Sequence, residues 1–243
     1  MAGFSVSAYL IRGVLVDCGF PDVQLEFLRL LSSERLRGVV VTHWHEDHAG
    51  NIEAVASRGI PIAAHAATLA AARAALPIAF YRRFTWGSAE ALRSPITPLF
   101  ADDLEFVPTP GHSRDHLAVW DPQTSTLFAG DLFLGVKVRV AHHDEEPRAT
   151  VKSLRRILQL APKRLFDAHR GEVENPRGAL QAKIDWMEET IGKIGARARN
   201  GDSEDVIART LLGRRSSIDI FSCGEYSRRS FVNAVLRETH DVT

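Results

Sequence analysis

Cysteine is scarce in this chain. Only Cys18 and Cys223 occur among 243 residues, too few for a disulfide framework, so the sequence predicts a reducing compartment. A surplus of either charge is also missing, since 30 Lys and Arg balance 30 Asp and Glu. No global field therefore draws in nucleic acid or an anionic membrane, although a local basic groove stays compatible with that balance. No apolar run reaches the length of a membrane span. The N-terminus lacks a basic start and its apolar run is broken by Arg12, Gly13 and Asp17, so no signal peptide is expected. There is no internal repeat and no low-complexity linker. With 45% hydrophobic and 25% charged residues, what is left is an ordinary globular protein, expected in the cytoplasm and without a membrane partner.

One stretch departs from the ordinary. Val39-Val40-Val41 reads as a buried strand, and it runs into Thr42-His43-Trp44-His45-Glu46-Asp47-His48-Ala49-Gly50-Asn51. Imidazole and carboxylate together suit zinc and its neighbours manganese, iron and cobalt. In an extended segment alternate side chains share a face, so His43 and His45 can point together while Asp47 and His48 come from the following turn. Donors packed this closely repel each other's protons unless a cation sits among them.

A hydrolytic metal centre needs three or four protein ligands per ion and an open position. Three further candidates repeat one design, an apolar run, a small residue, then a metal-type donor. They are His112 in Thr109-Pro110-Gly111-His112-Ser113, Asp131 in Leu127-Phe128-Ala129-Gly130-Asp131, and His169 in Leu165-Phe166-Asp167-Ala168-His169.

With these in view the chain resembles the metallo-β-lactamase-fold hydrolases over roughly residues 5 to 175, its five motifs in the family's order. Leu15-Val16-Asp17-Cys18-Gly19 is similar to the first, the His-x-His-x-Asp-His run to the second, and His112, Asp131 and His169 to the remaining three. The resemblance implies an α/β fold, a four-layer αββα sandwich, over residues 1–175, with 176–243 as a C-terminal helical extension. It also implies two divalent metal ions, zinc first, with iron or manganese as alternatives. His43, His45 and His112 would hold one ion, Asp47, His48 and His169 the other, and Asp131 would bridge them. Asp17 would support the metal loop from behind, and Glu46 would bind no metal. Two such ions share a water and lower its pKa, giving a metal-bridging hydroxide, with Asp47 holding the proton of the attacking water and His116 as general acid.

Departures from the family's branches narrow the substrate. Asp131 and His48 are similar to the glyoxalase II, lactonase and nuclease branches, and the β-lactamases proper differ at those positions. Leu132-Phe133-Leu134-Gly135 lacks the glutathione-binding pattern of glyoxalase II. Gly111-His112-Ser113-Arg114-Asp115-His116 and the helical tail are similar to the branch that holds a mitochondrial β-lactamase-like endoribonuclease. The neutral balance favours a small ester, thioester or lactone over RNA, because phosphate binding recruits Lys and Arg. Two alternatives are a phosphodiesterase or endoribonuclease with the same centre, and a persulfide dioxygenase-like protein holding one iron through His43, His112 and Asp131.

Elsewhere the patterns alternate. Residues 5–11 and 14–17 predict a hairpin turning at Arg12-Gly13, 23–31 a helix, 61–64 a strand, 66–75 an Ala-rich helix, and 104–107, 117–120 and 126–129 strands. Pro147 opens a helix to about Leu160, 164–168 is a strand, and 179–198 a long helix. Gly201-Asp202-Ser203 reads as a helix stop followed by an N-cap. Residues 77–95, aromatic and basic without a period, are either a substrate-facing flap or a packing patch, and 132–146 leaves Asp131 to overhang the site. The arginine-rich tail, with Arg197, Arg199, Arg209, Arg214, Arg215, Arg228 and Arg229, is read as a solvated cap or a homodimer surface before a polyanion site.

Overall fold

A computed structural model describes residues 5–74 and 78–240. The first hairpin forms as its sequence predicts, with β1 (Tyr9–Ile11) and β2 (Val14–Val16) joined at Arg12 and Gly13, whose φ values of 51° and 76° make the primed turn that tight hairpins favour. There follow α1 (Gln24–Ser33), β3 (Gly38–Val41), α2 (Glu46–Ala49), α3 (Ile52–Ala56), β4 (Ile62–Ala64), α4 (Ala66–Ala74) and α5 (Phe80–Trp86). Then come β5 (Glu105–Pro108), β6 (Leu117–Asp121), β7 (Thr126–Phe128), β8 (Ala141–His142), α6 (Pro147–Gln159), β9 (Arg164–Asp167) and β10 (Gly171–Glu172). The last elements are α7 (Pro176–Arg199), α8 (Glu204–Ile207), a π-helical turn (Ala208–Leu212), α9 (Ser217–Phe221), β11 (Tyr226–Ser227) and α10 (Arg228–His240).

The chain clusters into two units. The first is Met1–Pro108, Asp115–Asp131 and Lys163–Val173; the second is Thr109–Arg114, Leu132–Pro162 and Glu174–Thr243. The first unit holds both large sheets, ordered β1-β2-β3-β4 and β10-β9-β7-β6-β5. In the first sheet β2, β3 and β4 run parallel, and in the second β7 and β9 do. Strand β3 is buried along its whole length, and alternation sends its side chains to two cores. Val40, with Val14 and Val16, joins Val119 and Phe128 of the other sheet. Val39 and Val41, with Leu15, join Phe27 and Leu31 of α1 and Ile52 and Val55 of α3. The unit is thus layered helices, sheet, sheet.

In the second unit α6 and α7 bury Leu154, Ile157, Leu180, Ile184 and Ile194. Helix α7 starts earlier than its apolar period suggests, because the Asn175 side chain accepts the Gly178 N–H at 3.3 Å and Pro176 fits the first turn. The stretch 176–243, expected to stand as a C-terminal extension, clusters with 109–114 and 132–162. Gly201 stops α7 with φ 85°, but Ser203 makes no capping hydrogen bond, so the predicted N-cap is positional only. Residues 77–95 contain helix α5, whose Trp86 packs on Phe20 with ring centroids 5.0 Å apart. Residue 77 itself lies outside the described residues. Among the described residues no helix is long and apolar enough to cross a membrane.

Candidate metal centre

The β2 and β3 strands end side by side, and their ends build the centre's floor. Asp17 follows β2 in a left-handed conformation, φ 65°, which Asp tolerates better than most residues. This turns its buried carboxylate under the metal run. Oδ1 accepts the Thr42 N–H at 2.7 Å, and Oδ2 accepts the Thr42 hydroxyl at 3.0 Å and faces His48 Nδ1 at 2.8 Å. A His48 proton on Nδ1 satisfies that carboxylate and leaves Nε2 bare, the orienting role an outer carboxylate plays for a ligand imidazole. Thr42 Oγ1 in turn lies 3.0 Å from His43 Nδ1, and His43 Nε2 lies 3.0 Å from His45 Nδ1. Two ring nitrogens that close need a proton or a cation between them.

Six of the seven expected ligands meet in the first unit. Asp131 Oδ1 stands 3.3 Å from both His48 Nε2 and His169 Nε2, while Asp47 Oδ2 stands 3.7 and 3.6 Å from the same two nitrogens. His43, His45 and Asp131 each offer a ligand atom within 4.8 Å of one another, and so do Asp47, His48 and His169. The far nitrogen of His169, Nδ1, lies 2.7 Å from the Ser5 carbonyl, to which it donates. His48 Nε2 is buried without a hydrogen bond. This donor set of imidazoles and carboxylates fits divalent metal, and the rings of His43, His48 and His169 are already held from behind. His112, the seventh, belongs to the second unit. It is buried there, its Nδ1 3.5 Å from Glu145 Oε1. Gly111 beside it has φ 144°, and a Cβ there would meet Thr150 N at 2.4 Å, so only glycine fits.

His116 is buried, and its Nε2 accepts the Asp131 N–H at 3.1 Å. A ring nitrogen accepting from a backbone amide carries no proton, so the general-acid reading is corrected at that atom. The ring instead holds the Asp131 loop, where Gly130 at φ 50° leaves its Nε2 room. Three supports went unnoticed in the sequence. Asp115 Oδ2 accepts the Trp44 N–H at 2.9 Å and the Thr68 hydroxyl at 2.6 Å, tying the metal run to α4. Cys18 Sγ donates to the His48 carbonyl at 3.1 Å, and burial pushes that thiol far up. Arg82 of α5 pairs with Glu46, so residues 80–86 are anchored directly behind the metal run. An acid inside the His112 motif was the one visible signal for Asp115.

Without a cation the centre keeps protons. Burial opposes charge on His169, but the hydrogen bond and charge of Asp131, with Asp47, outweigh it and lift its pKa to about 9. His48 is raised likewise: burial opposes, and Asp131, Asp47 and Asp17 prevail. A ligand imidazole must be neutral. Loading the metal-free chain with zinc at pH 7 is therefore expected to release about one proton or more. Affinity should rise with pH until His169 loses its proton near 9. Calorimetry in buffers of different ionisation enthalpy measures this, and identical heats in all buffers would refute it.

Comparison with known proteins agrees with this geometry. The metallo-beta-lactamase superfamily model matches residues 1–169. A Beta-lactamase-like protein 2 homolog of Drosophila melanogaster is 28% identical over 71% of this chain and 60% of its own length. A hydroxyacylglutathione hydrolase of Thermosynechococcus vestitus is 32% identical over 70% and 64%. An atrochrysone carboxyl ACP thioesterase of Aspergillus fumigatus is 28% identical over 71% and 51%. The chain thus spans about half to two-thirds of the length of these relatives. Among solved structures, a metallo-beta-lactamase family protein of Thermus thermophilus superposes with a TM-score of 0.66 at 18% identity, covering 96% of this chain and 88% of that one. A protein solved in a di-iron-bound form gives 0.57 at 25% identity, covering 75% and 94%. The motif order, the paired sheets and the matched model together make this chain a member of the metallo-β-lactamase superfamily, with that family's α/β sandwich fold.

Proposed function

We propose that the chain is a dinuclear metal-dependent hydrolase of a small ester, thioester or lactone. The observation that carries this reading is the position of the Asp131 carboxylate, whose Oδ1 lies 3.3 Å from both His48 Nε2 and His169 Nε2 and which offers an oxygen within 4.8 Å of ligand atoms of His43 and His45 as well. A single-iron oxygenase would use two histidines and one carboxylate. It would leave Asp47, His48 and His169 without a task, although Asp17 and the Ser5 carbonyl hold those rings in place. His112 is assigned to the group of His43 and His45.

When bound, two divalent cations lower the pKa of water towards about 7 and stabilise negative charge on an oxygen. The chain's own residues do the positioning. Asp47, which is buried, would hold the proton that leaves the attacking water. Thr42 and Asp17 fix which nitrogen His43 and His48 present. His116 holds the backbone of Asp131 in place. The thioester class is supported by two relatives whose names state thioesterase and acylglutathione hydrolase activities.

The test is elemental analysis alongside a substrate panel. About two metal ions per chain are expected, with turnover of p-nitrophenyl esters and acyl thioesters exceeding that of bis-p-nitrophenyl phosphate by at least about a hundredfold. One iron per chain with oxygen consumption would overturn the reading. So would a metal-loaded protein that cleaves only the phosphodiester.

A further inference from the structure

We infer that the second unit carries a binding site for a nucleotide-sized polyphosphate. A cavity of about 870 Å³ opens among the end of α8, the π-helical turn, α9 and the first turns of α10. That volume lies in the range of small-molecule sites. Five arginines line it, Arg209, Arg214, Arg215, Arg228 and Arg229, against two acids, Asp205 and Asp219. With Glu204, which pairs with Arg229 beside the cavity, a chain with no net charge still gathers a surplus of two positive charges there.

The five guanidiniums divide into two kinds. Arg228 is fixed, its Nε donating to the Leu212 carbonyl at 2.8 Å and one terminal nitrogen to Asp219 at 2.5 Å. Arg229 pairs with Glu204 at 3.1 Å and more loosely with Asp205 at 3.7 Å. Arg209, Arg214 and Arg215 are exposed and make no ion pair or hydrogen bond among the described residues. Some exposed arginines elsewhere find acids, as Arg37 does with Asp103, Arg155 with Glu188 and Arg164 with Glu172; what sets Arg209, Arg214 and Arg215 apart is that all three line one cavity. Three unpaired guanidiniums around one cavity repel one another unless an anion joins them.

The ligand class follows from that charge and shape. Planar guanidiniums pair with phosphate oxygens through two parallel hydrogen bonds. One phosphate monoester carries about −1.5 to −2 at pH 7, so a chain of two phosphates has charge enough to engage the three guanidiniums that have no acid beside them. A polynucleotide would call for a basic stripe, whereas these arginines converge on one concavity. The π-helical turn that lines it, Ala208–Leu212, is a backbone form that recurs at functional sites.

Titration of the full chain with ADP and with inorganic pyrophosphate, followed by calorimetry, tests this. Saturable one-to-one binding is expected, weakened by added salt. The double variant Arg214→Ala/Arg215→Ala should weaken binding of both ligands by at least about tenfold without moving the melting temperature, since neither side chain has a partner to lose. Independently, Cys223 lines the cavity and is exposed while Cys18 is buried. Alkylation of Cys223 in the unmodified protein should slow when ADP is present. Three results would overturn the inference. They are no saturation at millimolar ligand with Cys223 unprotected, undiminished binding by the double variant, or binding of a long single-stranded RNA by a chain that takes neither ADP nor pyrophosphate.

Discussion

Asp131→Asn should lower hydrolytic activity by on the order of a hundred- to a thousandfold and reduce bound metal below two ions per chain. The substitution keeps the side chain's volume and its backbone hydrogen bond to His116, so the fold is retained while one negative charge is lost. That charge stands 3.3 Å from His48 and His169 of one group of donors, and the carboxylate also lies within 4.8 Å of the ligand atoms of His43 and His45 in the other, so its removal should be felt by both candidate groups, which an outlying ligand's would not be. The metal-free protein gives a second readout. His169 has a raised pKa, about 9, in which burial opposes and Asp131 is the leading favourable influence. A raised histidine contributes stability that is fully present below its unfolded pKa and is lost as pH rises through the folded value. Metal-free Asp131→Asn should therefore melt lower than the metal-free parent at pH 6, with the gap closing above about pH 9. Melting curves of both proteins under chelator at the two pH values decide it. An equal gap at both would show that Asp131 does not hold His169 protonated.

Much of this was legible in the sequence because metal chemistry constrains residue type and spacing together. The run from His43 to His48 betrays itself: strand period, then clustered donors, with nothing long-range to guess. His112, Asp131 and His169 were legible as repeats of one design at strand ends. What holds them was not. Asp115 touches Trp44 and Thr68, contacts 71 and 47 residues away in the chain, and no local pattern announces such a pairing. Arg82 lay in a segment without period, so neither helix α5 nor its pairing with Glu46 could be read. His116 misled for a physical reason. A histidine near a predicted centre suggests proton transfer, and only the atomic arrangement shows its nitrogen spent on the Asp131 amide. The short elements β8, β10, β11 and α9 also escaped, since two to five residues carry no readable period.

The second large effect is expected from Asp17→Asn, a change of one oxygen to one nitrogen at a residue that would touch no metal. Asn tolerates the left-handed backbone at φ 65°, and its remaining oxygen can still accept the Thr42 N–H. The other position now donates where it had accepted. His48 Nδ1 must then give up its proton and accept, which moves the ring's proton to Nε2, the atom that faces Asp131 and Asp47. The Thr42 hydroxyl also reverses, accepting from Asn and donating to His43 Nδ1, so His43 too carries its proton on Nε2. One substitution therefore offers the metal a proton in place of a lone pair at two ligands. Outer partners of this kind cost about 10- to 100-fold in metal affinity or activity, and with two rings turned the upper end is expected, on a folded chain. Asp17→Ala should behave differently. It strands the Thr42 amide and hydroxyl in a buried place, each costing about 1–3 kcal/mol, and should lower the melting temperature as well. Nitrogen chemical shifts of the imidazoles in the metal-free Asp17→Asn protein, recorded at a pH alkaline enough to remove the extra proton that its acidic neighbours hold on His48, read the proton positions directly. Unchanged His43 and His48 shifts, with metal content and turnover like the parent's, would mean that Asp17 does not set which nitrogen these rings present.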